Sequence, residues 1–231
     1  MINSAKVVQN ITLTHDVFEL TLETKSDFSF TAGQFINVKI NDGAPPCFRG
    51  YSIASKPEDN NQFRLCIKKI DGGRGSTWLQ SLKNDAEITF LGPIGKLTLN
   101  PSNKKVIFVA TGTGVAPFAG IIEEALLKGN NQEMALYFGL RHEKDIFYRA
   151  KFEELAQKYR NFKFNLTLSR PENPDFKGHI GRVTSMLDEL TIDPENTEIF
   201  ICGLKDMLQE VNSIFLGKGM KPENIHLEQY D

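Results

Sequence analysis

Three side chains in the stretch Arg49–Ser55 could together bind a flavin dinucleotide. Arg49 and Tyr51 lie two positions apart, so on an extended strand both project to one face, whereas Ser52 projects to the other. A guanidinium forks onto phosphate oxygens, a phenol ring stacks on a flat heterocycle, and a hydroxyl can hydrogen-bond a ring nitrogen. Taken alone, the stretch is also typical of a strand that ends in a serine-rich turn.

A glycine run further along the chain could bind the phosphates of the same ligand. Residues 71–76 (Asp-Gly-Gly-Arg-Gly-Ser) lead into a predicted helix over residues 77–82. The backbone N–H groups of such a loop and the N-terminus of the helix both favour an anion. The alternative interpretation is a flexible hairpin loop in which Ser76 caps the helix.

A second glycine motif indicates a nucleotide site in the other half of the chain. Gly112 and Gly114 follow an apolar strand and precede a predicted helix, which is where a dinucleotide pyrophosphate would lie. The pattern is not the full GxGxxG fingerprint, because Pro117 occupies the third glycine position. A tight turn between strand and helix, with no ligand, would produce the same pattern.

Other candidate side chains in this half follow predicted strands or begin a helix. Ligands bind at the carboxyl ends of strands in open α/β sheets, so Cys202 could lie against a nicotinamide ring, although a small buried filler is the alternative. Arginine suits phosphate bidentately. A 2′-phosphate could therefore be held by a set of residues that would otherwise be solvated surface groups: Arg141, Ser169, Arg170 and Arg182.

The elements that must position these residues fall into two regions. Residues 1 to about 98 have short strands at near-regular intervals, with turns at Pro57–Asn61 and Gly92–Lys96, which suggests an antiparallel β-barrel. From Lys104 onward strands alternate with helices, ending in a last strand over residues 225–228, which predicts a parallel sheet with covering helices. The predicted fold is therefore two-domain: an antiparallel β-barrel domain over residues 1–100 and an α/β parallel-sheet domain over residues 101–231.

Composition and cysteine spacing exclude several classes of protein. The chain has 231 residues and a net charge of −2, with no basic stripe for nucleic acid and no apolar run long enough to span a membrane. The N-terminal segment lacks the pattern of a signal peptide. Cys47, Cys66 and Cys202 form no metal or iron–sulfur spacing, so we expect a cytoplasmic protein with free thiols and no metal. Any iron–sulfur cluster in an electron path would lie on another protein.

The motifs, taken in order, resemble those of the ferredoxin–NADP reductase family over nearly the whole chain. Arg49–Ser52 is similar to the RxYS flavin motif, Gly73–Ser76 to the GxxS motif, and Gly92–Lys96 to the turn that closes the flavin barrel. The family's nicotinamide-side motifs are similar to three further segments of this chain: Gly112–Pro117, Cys202–Met207 and Glu228–Tyr230. The resemblance implies a flavoprotein oxidoreductase that transfers a hydride between NADP(H) and FAD, and single electrons to or from ferredoxin or flavodoxin.

The resemblance also implies roles for single residues on the flavin side. Arg49 and Ser76 would hold the FAD pyrophosphate, Tyr51 would pack on one face of the flavin, and Ser52 would bond the reactive ring nitrogen. Further FAD contacts would come from Gly50, Ile67, Lys68, Gly73 and Gly75.

On the nicotinamide side, Cys202 and Thr113 would border the nicotinamide ring. Tyr230 would cover the second flavin face, and Glu228 would complete the polar network that stabilises and protonates the reduced flavin. Both residues lie at the end of the chain, where tails are usually disordered. NADP would also contact Gly112, Gly114, Arg141, Ser169, Arg170, Arg182, Gly203 and Met207, and the arginines favour NADP while leaving NAD possible.

Three interpretations of the function stay open. The first is a reductase for ferredoxin or flavodoxin, and the second is an NAD(P)H-dependent reductase of free flavin, an oxygenase or another acceptor. The third is a subunit that holds flavin inside a larger electron-transfer complex without turning over nicotinamide. The nicotinamide-side motifs argue against the third, and Tyr230 over a flavin face argues against reduction of free flavin. We expect a monomer, because a two-domain reductase needs no partner subunit.

Overall fold

The first half of the chain forms an antiparallel sheet. The computed structural model describes residues 2–25, 28–57 and 61–230. The strands are β1 (Ile2–Thr12), β2 (Val17–Thr24), β3 (Phe35–Ile40), β4 (Cys47–Ser52), β5 (Gln62–Lys68) and β6 (Glu87–Ile94), and helix α1 (Arg74–Ser81) follows β5. They are hydrogen-bonded in the order β4-β3-β6-β1-β2-β5, with every neighbouring pair antiparallel.

The two edges of this sheet meet, so the sheet closes into a barrel. Ile53, directly after β4, forms an antiparallel bridge with Leu65 of β5, and the Ala54 N–H donates to the Arg64 carbonyl at 2.7 Å. Inward-facing apolar side chains fill the interior, among them Leu20, Leu22, Val38, Phe63 and Phe90. The predicted antiparallel barrel is therefore confirmed.

The prediction of a tight turn at Gly92–Lys96 is wrong for its first residues. Strand β6 continues through Gly92 and Pro93 to Ile94. Its pairing with β3 shifts register there, because Phe35 and Asn37 stand opposite Ile94 and Leu91. Such a bulge accommodates a proline, which has no N–H to donate to the ladder. Of the turn predicted at Pro57–Asn61, residues 58–60 lie outside the described part of the chain.

The second half forms a parallel sheet with helices, as its alternating pattern predicts. The strands are β7 (Lys105–Thr111), β8 (Met134–Leu140), β9 (Phe162–Leu168), β10 (His179–Ile180), β11 (Thr197–Leu204) and β12 (Ile225–Tyr230). The helices are α2 (Ala116–Leu127), α3 (Arg149–Lys158), α4 (Val183–Asp188) and α5 (Lys205–Gly217). The strand order is β10-β9-β8-β7-β11-β12, and all five pairs are parallel. Continuous apolar runs such as 106–110 are fully buried, as parallel strands require.

The predicted last strand is present and is longer than its sequence pattern indicates. Strand β12 pairs with β11 from Ile225 through Tyr230, which places Glu228 beside Cys202 and Tyr230 beside Leu204. Both site candidates at the end of the chain are therefore ordered, contrary to the usual behaviour of a tail. The short strand β10 is an element that the sequence pattern does not predict, because two exposed residues carry no periodicity.

The chain divides into two compact units, and each unit contains two separate segments of the sequence. The first unit contains the described residues up to Leu99 together with Ala116–Glu124, and the second contains Asn100–Val115 and the residues from Ala125 onward. Within the first unit, Gly120 of α2 approaches the Ser55 carbonyl so closely that a β-carbon on residue 120 would lie 2.5 Å from that oxygen. In the described residues, none of the helices has the length and apolar character needed to cross a bilayer.

Candidate functional site

Some of the residues predicted for the flavin side, Arg49, Tyr51 and Gly75 among them, meet at the N-terminus of α1 in the first unit. A β-carbon built on Gly75 would lie 2.8 Å from the Tyr51 hydroxyl and 3.2 Å from Cγ of Arg49. Arg49 and Tyr51 therefore project to the same side of β4, as their spacing predicts. Arg49 is exposed and donates from Nη1 to the Phe48 carbonyl at 2.9 Å, whereas burial raises the pKa of Tyr51 to about 12.

The glycine run before α1 forms a tight turn that the Ser76 hydroxyl holds in place. Helix α1 begins at Arg74 with Gly73 as its N-cap, so the alternative interpretation, in which Ser76 caps the helix, is wrong. The Ser76 Oγ instead accepts a hydrogen bond from the Ile70 N–H at 3.0 Å and contacts the Gly73 carbonyl at 3.4 Å. A helix leaves the N–H groups of its first turn without intrahelical acceptors, so residues 74–76 present donors suited to an anion.

Arg74 has a structural partner that its place in the glycine run does not reveal. Its guanidinium binds the Asp42 carboxylate through two hydrogen bonds of 2.8 and 2.7 Å and donates a third to the Pro45 carbonyl at 3.1 Å. These bonds hold the pKa of Asp42 well below its ordinary value. The loop between β3 and β4 is thereby tied to the start of α1. No sequence signal links residues 42 and 74, because they are far apart in the chain.

The remaining flavin-side candidates lie on β4 and β5. Ser52 is buried, 3% exposed, and pairs with Phe35 of β3. The bridge from Ile53 to Leu65 aligns β4 and β5 antiparallel, so Ile67 stands at the level of Tyr51. Lys68 is exposed and pairs instead with Asp16, at 3.1 Å.

In the second unit the predicted nicotinamide-side residues lie at the carboxyl ends of the parallel strands. Residues 112–115 form a short 3-10 turn directly after β7. A β-carbon on Gly114 would clash with the Cys202 carbonyl oxygen, and one on Gly203 would clash with Cε of Met207. Two motifs that are distant in sequence therefore share one backbone contact. Thr113 is in the same turn and is half-buried.

The thiol of Cys202 is fully buried beside the last strand. Burial, and after it the negative charge of Glu228, raises the pKa of Cys202 well above its ordinary value, and the nearby phenol of Tyr230 offsets part of the rise. The parallel register places Glu228 directly opposite Cys202. The site therefore combines a neutral thiol, a carboxylate and a phenol at one edge of the sheet.

The four residues predicted for a 2′-phosphate also lie along this edge. The Arg170 N–H donates to the Arg141 carbonyl at 2.8 Å, and the Ser169 N–H donates to the Leu140 carbonyl at 3.0 Å, so the ends of β8 and β9 lie side by side. Arg182 is the N-cap of α4 and pairs with Glu210 of α5 at 3.7 Å. All three arginines are exposed.

Neither metal ligation nor disulfide formation is seen in the part of the chain that the structure describes. Among those residues no group of three or more His, Cys, Asp or Glu side chains is arranged to hold a metal ion. The three cysteines are free thiols.

The chain matches two domain families over almost all of its length. An oxidoreductase FAD-binding domain model matches residues 4–99, and an oxidoreductase NAD-binding domain model matches residues 108–213. The chain is 34% identical to ferredoxin–NADP reductase B of Sorangium cellulosum, over 98% of this chain and 97% of that protein.

Two further relatives extend the comparison. The chain is 28% identical to the ferredoxin–NAD(P)(+) reductase component of the naphthalene 1,2-dioxygenase/salicylate 5-hydroxylase systems of a Ralstonia species, over 94% of this chain and 65% of that protein. The fold is shared with the crystal structure of a ferredoxin NADP+ reductase from Neisseria gonorrhoeae with bound FAD and NADP, at a TM-score of 0.86 and 21% identity, covering 99% and 98% of the two chains.

The fold and the two domain matches define a flavin- and nicotinamide-dependent oxidoreductase with FAD-binding and NAD-binding domains. More specifically, the chain belongs to the ferredoxin–NADP reductase family. The predicted family, enzyme class and cofactor types are thereby confirmed.

Proposed function

We propose that this protein is an NADP(H)-dependent reductase that exchanges single electrons with a ferredoxin or flavodoxin. The observation that carries this proposal is the 34% identity to a ferredoxin–NADP reductase over 98% of the chain. In this proposal residues 1–100 bind FAD and residues 101–231 bind the nicotinamide nucleotide, and the protein is a monomer. Bound FAD supplies the ability to exchange a hydride with nicotinamide and single electrons with a one-electron carrier.

On the flavin side, the proposed roles follow from the groups around α1. Arg49 and the first-turn N–H groups of α1, including that of Ser76, bind the pyrophosphate, since both are hydrogen-bond donors and Arg49 lies against Gly75 in that turn. The absence of a side chain at Gly75 lets Tyr51 and Arg49 lie against the first turn of α1, because a β-carbon there would crowd both. Tyr51 packs against the flavin ring, and the Ser52 hydroxyl donates a hydrogen bond to the reactive ring nitrogen.

On the nicotinamide side, Cys202 and Thr113 border the nicotinamide ring. The buried thiol stays protonated because its pKa is raised, so it provides a compact, uncharged surface. Glu228 stands opposite Cys202 in the β11–β12 register, and in this proposal it holds a proton close to the reacting ring. Binding at the carboxyl edge of a parallel sheet is the general arrangement for nucleotides in open α/β folds.

NADP(H) is the proposed nucleotide because three arginines and a serine lie at the carboxyl ends of the parallel strands. Arg141, Ser169, Arg170 and Arg182 follow β8, β9 and β10, where backbone hydrogen bonds bring the first three together. A guanidinium binds phosphate bidentately, so this group favours the nucleotide that carries a 2′-phosphate.

A second candidate function is the reduction of an oxygenase or another acceptor with NAD(P)H. The specific observation that favours it is the 28% identity to the reductase component of a dioxygenase system. This chain spans about two thirds of that longer relative, which leaves the identity of the acceptor open to experiment.

Stopped-flow reduction of the FAD-loaded protein with NADPH and NADH in parallel, followed by mixing with oxidised acceptors, tests the proposal. Fast reduction by NADPH and fast reoxidation by ferredoxin or flavodoxin are expected. Equal kcat/KM for the two nucleotides would overturn the NADP assignment. Fast reduction with reoxidation only by free flavin or an oxygenase would favour the second function, and slow reduction by both nucleotides would contradict both.

A further inference from the structure

We propose that Thr167 is a positioning residue that fixes Arg182 beside the end of β9 and so sets selectivity for a nucleotide with a 2′-phosphate. This inference rests on the proposed use of NADP(H) and concerns the part of the second unit that holds Arg182. Thr167 is fully buried in β9, at 0% exposure, and carries a hydroxyl where apolar residues dominate. A buried hydroxyl needs partners, and those of Thr167 all belong to the segment that leads to Arg182.

The segment before Arg182 is held mainly by its contacts with β9. Strand β10 contains only His179 and Ile180, which pair with Thr167 and Leu168. Two residues provide few ladder bonds. Both backbone groups of the next residue, Gly181, also bond to β9: its N–H donates to the Leu168 carbonyl at 2.9 Å, and its carbonyl accepts from the Thr167 hydroxyl at 2.7 Å.

The hydroxyl of Thr167 has one hydrogen, which decides how its contacts are shared. Its shortest contact is with the Gly181 carbonyl, compared with 3.2 Å to the His179 carbonyl. Nδ1 of His179 lies 3.0 Å from the same oxygen. The consistent arrangement is a chain in which Nδ1–H of His179 donates to Thr167 and Thr167 donates to Gly181.

The Arg182 carbonyl accepts hydrogen bonds from the N–H and the hydroxyl of Ser185, at 3.1 and 2.7 Å, which tie Arg182 to α4. The bond from Thr167 to Gly181 matters because it joins this helix start to β9. The Arg182 side chain is 77% exposed, and its ion pair with Glu210 spans 3.7 Å in solvent. Gly181 adopts φ +146°, and a β-carbon there would lie 2.6 Å from Oγ of Ser185, so the chain makes a specific bend immediately before Arg182. The point from which the Arg182 side chain extends is therefore set by the backbone, which the bonds of Gly181 to Thr167 and Leu168 fix to β9.

Ser169 and Arg170 explain why this placement affects the 2′-phosphate. They directly follow β9, two and three residues after Thr167, and the Gly181–Leu168 bond brings the start of α4 to the same strand end. A loosened Gly181 would move Arg182 away from Ser169 and Arg170. A ligand without the 2′-phosphate would not sense that movement, because it does not need the guanidinium.

The test is calorimetric binding of 2′,5′-ADP and of 5′-AMP to the FAD-loaded protein and to Thr167→Val, which keeps the shape but removes the hydrogen bond. Loss of one hydrogen bond of typical strength predicts an affinity for 2′,5′-ADP weaker by about fivefold, with the affinity for 5′-AMP unchanged. Thr167→Ser keeps the hydroxyl and should restore the preference. Thr197→Val is the control, because Thr197 is also buried but begins β11, away from β9 and Arg182.

The outcomes separate this inference from the proposed function. A wild-type protein that binds both ligands equally would overturn the NADP assignment and the inference with it. A wild-type preference that Thr167→Val retains in full would overturn the inference alone. Equal weakening of both ligands, or the same loss in Thr167→Ser, would show a merely structural role and would also overturn it.

Discussion

Gly75 lies so close to Tyr51 that a β-carbon on residue 75 would stand 2.8 Å from the tyrosine hydroxyl. The same β-carbon would be 3.2 Å from Cγ of Arg49, so one glycine in the first turn of α1 touches the two side chains that begin the flavin-side motif. The glycine run and the Arg-x-Tyr-Ser stretch therefore form a single structural feature, although they are separate segments of the sequence.

Replacement of Gly75 by alanine should weaken FAD binding. The added methyl must displace the end of the Tyr51 side chain and crowd Arg49. This displacement moves the tyrosine ring that is proposed to pack on the flavin. We expect the dissociation constant of FAD to rise about tenfold, equivalent to about 1.4 kcal/mol, as measured by fluorescence titration of the flavin-free protein.

The control for this substitution is Gly217→Ala, since Gly217 ends α5 and a β-carbon built there has nothing within 4 Å. It should leave FAD affinity unchanged. Retention of wild-type FAD affinity by Gly75→Ala would show that the contact with Tyr51 is unimportant for the cofactor.

Replacement of Gly114 by alanine should affect the nucleotide and not the flavin. Its β-carbon would clash with the Cys202 carbonyl oxygen and would lie 2.9 Å from Cα of Gly203, both backbone atoms that cannot rotate away. Overpacking of this kind destabilises a protein by about 1–3 kcal/mol. We expect the KM for NADPH to rise at least several-fold, while the amount of bound FAD stays at the wild-type level.

Gly129→Asn provides the comparison for this variant. Gly129 has φ +74° and open space around it, and asparagine tolerates that conformation better than other residues. Loss of FAD from Gly114→Ala, or an unchanged KM, would contradict the proposed separation of the two sites.

The barrel, the parallel sheet and most site residues could be predicted from local sequence patterns. The alternation of apolar and polar residues in β2 and the apolar run of β7 predict the positions of these strands to within a few residues. The end of β6 is different, because Gly92 and Pro93 are typical turn residues. Only the pairing of β6 with β3 and β1 shows that they lie in a strand.

Contacts between distant positions account for what the sequence pattern could not predict. The bond between Arg74 and Asp42 and that between Thr167 and Gly181 join segments through specific geometry, and neither pair leaves a periodic signal. The final strand continues to Tyr230 for a related reason: a tail becomes ordered only if the sheet offers it a partner edge, and β11 does so.

The raised pKa of Cys202 predicts low reactivity of this thiol. Because burial and the charge of Glu228 favour the protonated form, little thiolate is present at mildly alkaline pH. We expect iodoacetamide to modify the half-buried Cys47 before Cys202 in the folded protein, as followed by peptide mass spectrometry. Modification of Cys202 at the rate of Cys47 would contradict the predicted shift.

The same shift predicts that stability falls at high pH. Above the ordinary thiol pKa of about 8.5, the unfolded chain releases the Cys202 proton while the folded chain retains it, so unfolding is favoured as pH rises. Cys202→Ser removes this titration, and its melting temperature should decline less between about pH 8 and 10 than that of the wild type. Cys47→Ser is the matched control and should follow the wild-type slope.

Glu210 should compete with the 2′-phosphate for Arg182, with which it pairs at 3.7 Å. The nucleotide must displace this carboxylate and also approach its negative charge, so Glu210→Gln should improve NADPH binding. Exposed ion pairs contribute about 0.2–1 kcal/mol, which predicts a KM for NADPH lower by about 1.4-fold to fivefold at low ionic strength, with the KM for NADH unchanged. Added salt should reduce the difference, because it screens exposed charges.

Glu153→Gln is the control for this charge change, since it breaks the exposed Arg149–Glu153 pair on α3 and alters the net charge by the same amount. It should leave both KM values unchanged. If Glu210→Gln lowered the KM for NADPH and NADH equally, Glu210 would affect the binding of both nucleotides alike and would not act through Arg182. If it raised the KM for NADPH, the pair would instead hold Arg182 in its binding position, and the competition between carboxylate and phosphate would be excluded.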